Sequence, residues 1–208
     1  MTVANWTNSQ VINQLNSGYK WTGSTITYAF PTSASGIYYQ NEGTGFRAIS
    51  SSQQTLFTLA LQTWDDLIPQ NFQLTTLTSS NIEFGYSSSM DGYAHAYFPT
   101  NGSVWFKTGS DVSSATVGSY GFATIMHELG HALGLNHMGD YDASEGDSFT
   151  PSSFQDSRVL SIMSYFGPSG GQRSSEVQWA DWTATNGQDY SPQTPMLYDV
   201  LAIQTIYG

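Results

Sequence analysis

The chain contains no cysteine, so neither disulfide bridges nor thiolate metal sites are available to its fold. Basic residues are nearly as scarce: five Lys and Arg stand against 16 Asp and Glu, for a formal net charge of −11. Without a cluster of positive charge to neutralise phosphates or an anionic lipid surface, neither nucleic acid nor membrane is expected as a partner. Long apolar runs are missing too. No stretch approaches the roughly 20 residues that a membrane-spanning helix requires. The opening MTVANWTNSQ has no basic stretch followed by an apolar one, so no signal peptide is expected.

What remains is polar but not disordered in character. Hydrophobic residues make up 39% and aromatics 14% of 208 residues, enough to build one sizeable core but few for two independent ones. No internal repeat or linker divides the sequence, so residues 1–208 are read as one domain and the default state as a monomer.

The first half reads as strands around one helix. Residues 26–30 alternate and stop at Pro31, as a strand does. After Ser50, Ser51 and Ser52, apolar residues recur at three- and four-residue steps from Leu56 to Ile68 and stop at Pro69, the pattern of an amphipathic helix. Short strands follow at 72–77, 82–86, 93–98 and 104–107, and because they are closely spaced the sheet is expected to be mostly antiparallel. A second helix spans about 120–135. From about 138 to 194 the chain is rich in Ser, Gly, Asp and Pro, without periodicity, and is expected to be irregular. A last helix is expected with Thr194 as N-cap and Pro195 at its first position. The fold class is α+β, with an N-terminal part of about 1–137 and a C-terminal part of about 138–208.

The chemistry concentrates on the second helix. His127 and His131 are four residues apart, one turn along the same helix face, where two imidazoles can share a metal ion. Glu128 is rotated round the helix beside His127, a position suited to a general base acting on a water and not to a ligand. A catalytic zinc commonly takes three protein ligands. His137 supplies the third if the chain turns back at Gly134, because a glycine can adopt the left-handed conformation that ends a helix. Residues 127–137 thus read H-E-x-x-H-x-x-G-x-x-H, and three of only four histidines fall within these eleven residues.

This pattern resembles the metzincin metallopeptidases, and HELGHALGLNHMGDYDASEGD is similar to the serralysin branch of secreted bacterial proteases. Ser161-Ile162-Met163-Ser164-Tyr165-Phe166 resembles the Met-turn of that family, and PMLYDVLAIQTIYG resembles the helix closing its catalytic domain. The resemblance implies a zincin-like fold, one catalytic Zn2+, protein or peptide substrates, susceptibility to a proteinaceous inhibitor and an extracellular location. It makes Met163 a hydrophobic floor below the metal. Tyr165 becomes a fifth ligand that swings away to hydrogen-bond the transition state. An edge strand carrying Tyr93, Ala94, His95 and Ala96 becomes the substrate-pairing edge, with His95 a surface or subsite residue. Met138 departs from the family, which usually has Pro after the third histidine. The calcium-binding repeats of serralysins do not occur in these 208 residues.

Other acidic residues carry less. Asp140, Asp142, Glu145 and Asp147 fail the EF-hand spacing, since the sixth position from Asp140 is Glu145 and the twelfth is Pro151, and calcium is not supported. Glu176, Asp181 and Asp199 are given no role. Three alternatives stay open from sequence alone: a zinc-braced binding module, a zinc hydrolase acting on a non-peptide amide or ester, and a latent protease.

Overall fold

The structure, a computed structural model, describes residues 3–76, 79–142, 150–167, 185 and 190–208. Six strands form one mixed sheet in the order β3 (Asn71–Leu74), β1 (Thr25–Ala29), β4 (Ile82–Ser87), β6 (Ser103–Lys107), β5 (Ala94–Ala96), with β2 (Phe46–Arg47) also pairing with β4. Helices α2 (Ser51–Asp65) and α3 (Tyr120–Ala132) pack together. A single main core joins them to the sheet through Phe57, Trp64, Phe84, Phe106, Phe122 and Ile125, all essentially inaccessible to solvent. Burial of side chains of this size stabilises the fold by roughly 2 kcal/mol each.

The sheet corrects the expectation of mostly antiparallel pairing. Pairings β1–β3, β1–β4 and β4–β6 are parallel, and only β2–β4 and β5–β6 are antiparallel. Helix α2 provides the crossover from β1 to β3 that a parallel pair requires. The short link from β3 to β4 works for another reason. Leu74 and Ile82 both pair with Tyr28, so β4 begins at the level where β3 ends and the chain never has to run back along the sheet. β4 is buried along its whole length, which removes the alternation that marks a strand with one wet face.

One helix and one helix boundary also differ from the sequence reading. An additional helix, α1 (Asn8–Leu15), opens the chain with a capping box in which Thr7 and Gln10 bond reciprocally. The last helix, α4 (Leu197–Tyr207), starts two residues later than expected, with Met196 and not Thr194 at the N-cap. Its first turn is closed by the Asp199 carboxylate, which accepts the Met196 N–H at 2.7 Å. Residues 150–167 carry no helix or strand, as their composition suggested.

Candidate metal centre

Helix α3 begins at Ser119, whose hydroxyl accepts the Phe122 N–H. Past its last residue, Ala132, the chain turns at Gly134, at φ +102°, the left-handed conformation expected there. The Leu135 N–H then reaches back to the Gly130 carbonyl at 2.8 Å, a bond that closes the last turn. The returning segment is held by α1: Asn136 N–H donates to the Leu15 carbonyl at 2.7 Å, and Gln14 Nε2 to the His137 carbonyl at 3.2 Å. Thus the helix that the sequence reading overlooked fixes the path of the third histidine.

The three imidazoles converge. His131 Nε2 lies 3.2 Å from His127 Nε2 and 3.0 Å from His137 Nε2. Each Nδ1 meets a main-chain carbonyl: Ile162 at 2.8 Å for His127, Leu135 at 2.6 Å for His131 and Tyr141 at 2.9 Å for His137. A carbonyl only accepts, so each Nδ1 carries the proton and three Nε2 lone pairs face one another. Such lone pairs repel unless a cation lies between them. Their separations approach the edge of about 3.3 Å of a tetrahedron whose metal–nitrogen bonds are ~2.0 Å, so the group could hold a metal ion. Burial pushes all three basicities down, and neighbouring imidazoles add to this at His127 and His131. His131 falls to about 3, so the set is neutral and ready to bind a cation near pH 7.

Glu128 is 5% exposed, and its Oε2 is buried without a hydrogen-bond partner among the described residues. Burial, with a smaller contribution from Asp142, raises its carboxyl to about 8. Tyr165 packs its ring beside His137, with centroids 4.5 Å apart. These groups share a cleft of about 1150 Å³ with β5. Met163 is fully buried, and a Cβ at Gly130 would come within 2.5 Å of its Sδ. The residue just before His131 is therefore glycine for a packing reason that motif spacing does not disclose.

Several residues outside the motif hold this arrangement. Asp156, buried at 2% exposure, accepts hydrogen bonds from the Tyr141 and Ser164 hydroxyls and the Ser152 N–H. The Tyr141 hydroxyl in turn accepts the Tyr165 N–H at 3.3 Å, while its carbonyl holds His137. Met138 N–H donates to the Met163 carbonyl at 3.1 Å, a bond that the proline usual in serralysins lacks the hydrogen to make.

Asp199, to which the sequence reading gave no role, is fully buried and accepts from Ser161 Oγ at 2.6 Å and Ile162 N–H at 2.8 Å. It anchors the turn whose Ile162 carbonyl holds His127. Asp199→Ala leaves the buried Ile162 N–H, the half-buried Met196 N–H and the Ser161 hydroxyl without their acceptor, and is expected to cost about 3 kcal/mol in urea unfolding. Asp199→Asn can keep all three bonds, its Oδ1 accepting the two N–H groups and its Nδ2 donating to Ser161, and should cost less than about 1 kcal/mol. Equal losses for both variants would mean that these bonds do not hold the turn.

Edge strand β5 carries Ala94, His95 and Ala96, with Tyr93 just before it. Asp140 and Asp142 line the cleft, whereas Glu145, Asp147, Glu176 and Asp181 lie outside the described residues.

The fold and this three-histidine centre agree with comparison to known sequences. The profile of the matrixin peptidase family (Peptidase M10) matches residues 20–144, and the chain belongs to that family. Within it the chain is a serralysin-like metzincin catalytic domain. It is 32% identical over 197 residues to metallopeptidase AprA of Pseudomonas marginalis, covering 88% of this chain and 40% of that protein. It is 35% identical to a serralysin of Photorhabdus sp. (strain Az29), covering 79% and 35%, and 35% identical to serralysin A of Dickeya chrysanthemi, covering 90% and 40%. The chain spans about two fifths or less of the length of these relatives.

Proposed function

We propose that the chain is a zinc-dependent endopeptidase acting on extended protein or peptide substrates. The observation that carries this reading is the pairing of three converging Nε2 lone pairs with a buried, unpartnered Glu128 oxygen beside them. His127, His131 and His137 would hold the ion. When bound, zinc would polarise the scissile carbonyl and make a water more acidic, towards pKa ~7. Glu128, whose carboxyl a bound cation would lower again and keep ionised, is placed to accept the proton of an attacking water and hand it to the leaving amine. A purely structural metal site has no use for a buried carboxylate that is not a ligand, which favours the enzyme over the zinc-braced module.

The Tyr165 hydroxyl is assigned to the oxyanion, with metal ligation in the resting state, and Met163 to the hydrophobic floor. Substrate adds to the edge formed by Tyr93, Ala94, His95 and Ala96. Lys107 N–H donates to the Tyr93 carbonyl and Tyr97 N–H to the Ser103 carbonyl. In an antiparallel pair these groups alternate, so the amides and carbonyls of Ala94 and Ala96 point away from β6 along the open edge. Such an edge suits an extended chain better than a small amide or ester. One domain divided by the cleft near residue 137, a monomeric state, secretion, and inhibition by a protein seated in the cleft complete the reading.

The test is metal analysis of the purified chain together with digestion of a denatured protein. About one zinc per chain, and cleavage that a chelator stops and zinc restores, are expected. Bound zinc without cleavage of any protein or peptide would turn the assignment towards the structural or latent alternatives.

A further inference from the structure

Behind the edge strand lies a polar assembly that the proposed chemistry does not use. Glu42 is 4% exposed, yet its carboxylate is fully engaged: Oε2 accepts the Gln40 N–H at 2.7 Å, and Oε1 accepts the Tyr97 hydroxyl at 2.9 Å. The same Oε1 lies 2.6 Å from His95 Nε2. Burial raises the Glu42 carboxyl, but the hydrogen bonds it accepts outweigh this and hold it below the ordinary carboxylate range. It is an anion set into the rear wall of the cleft.

His95 belongs to the face of the sheet away from α3. It pairs with Trp105 in the register of β5 and β6, and its ring stands edge-on to Tyr97, which packs with Trp105 and Met90. Ala94 and Ala96 pack on the other face, against the main core. The His95 side chain is 36% exposed although Nε2 itself is buried against Glu42. Nε2 stands 2.6 Å from Glu42 Oε1 without the geometry of a hydrogen bond, so charge proximity holds the ring there, and Nδ1, an acceptor in the neutral imidazole, is the ring nitrogen left on the accessible part.

A peptide strand added to this edge bonds to the main chain at Ala94 and Ala96. The residue between those bonded positions lies directly across from His95, in a non-hydrogen-bonded pair, and its side chain leaves on the His95 face with Cβ atoms ~4.5–5.5 Å apart. It meets an imidazole backed by a buried carboxylate, in a lining that also carries Asp91.

We propose that Glu42 and His95 form a selectivity element that favours Lys or Arg at the substrate residue across from His95 on β5. The proposal rests on the edge-pairing reading of the preceding subsection. An acidic side chain there is repelled, and an apolar one leaves Nδ1 without a donor.

The experiment measures affinity on zinc-loaded Glu128→Ala, where cleavage does not consume the probe. Ten-residue peptides of one fixed sequence carry a single Lys, or norleucine in its place, moved along the chain. One position is expected to prefer Lys about tenfold in Kd, while its two neighbours, facing the Ala94 and Ala96 side, show no such preference. Adding His95→Phe should bring that ratio to within about twofold of unity and leave the neighbouring positions as they were. Glu42→Gln should weaken it as well; if that buried substitution fails to fold, His95→Phe decides alone. Ratios near unity throughout, or a Lys preference that survives His95→Phe, overturn the proposal. Cleavage of the same peptides by the wild-type chain is scored separately, so an inert wild type would refute the peptidase reading while the affinity ratios still judge the selectivity element.

Discussion

Glu128→Gln is expected to retain one metal ion per chain and to lower kcat/KM for peptide hydrolysis by about 10²–10⁴-fold, the usual range for losing a positioned acid–base group. The substitution is nearly isosteric. Among the described residues Glu128 Oε2 has no hydrogen-bond partner, so the amide disrupts no contact with them, and removing a buried ionisable group does not weaken the fold. Because the metal would rest on His127, His131 and His137, its affinity should move little. Elemental analysis and kinetics on one preparation separate the two roles. Loss of metal along with activity would make Glu128 a ligand, and unchanged activity would remove it from the mechanism.

Gly134→Ala is expected to destabilise the chain by about 4 kcal/mol and to weaken metal binding at least a hundredfold. Two effects add. The residue sits at φ +102°, where a side chain costs roughly 1–2 kcal/mol. Its Cβ would also lie 2.1 Å from the Tyr19 carbonyl oxygen, a backbone atom that cannot rotate aside, so the turn itself must move, at a cost typical of overpacking. That turn carries His137 to the other two histidines. Gly109→Ala is the matched control, since Gly109 has φ +85° but nothing within 4 Å of its Cβ; it should lose only the conformational part. Urea midpoints and zinc competition read both variants. If the two behaved alike, the close approach to Tyr19 would have no part in shaping the site.

These expectations show what could be read from the sequence. The ligand set was legible because its geometry is local: four-residue spacing on a helix, then one glycine that reverses the chain. The sheet was harder. Whether β4 runs with or against β1 depends on where β3 stops, and no short window around residues 71–87 records that level. The role of Asp199 in the turn was opaque because Ile162 and Ser161 lie 37 and 38 residues away, in a segment without periodicity. Glu42 and His95 are likewise joined only by the sheet. Helix α1 differs from these: Thr7 and Gln10 spell a capping box and Val11 and Leu15 share a face, so its signal was present and was passed over.

The bonds from Asp199 to Ser161 and Ile162 bear on when the centre takes shape during synthesis. A nascent chain that has emerged only as far as Phe166 already holds all three histidines, Glu128 and Tyr165, yet the loop whose carbonyl orients His127 lacks its anchor. The metal-binding geometry is expected to tighten only after α4 has left the ribosome, which would delay hydrolytic capability inside the producing cell until this domain is nearly complete.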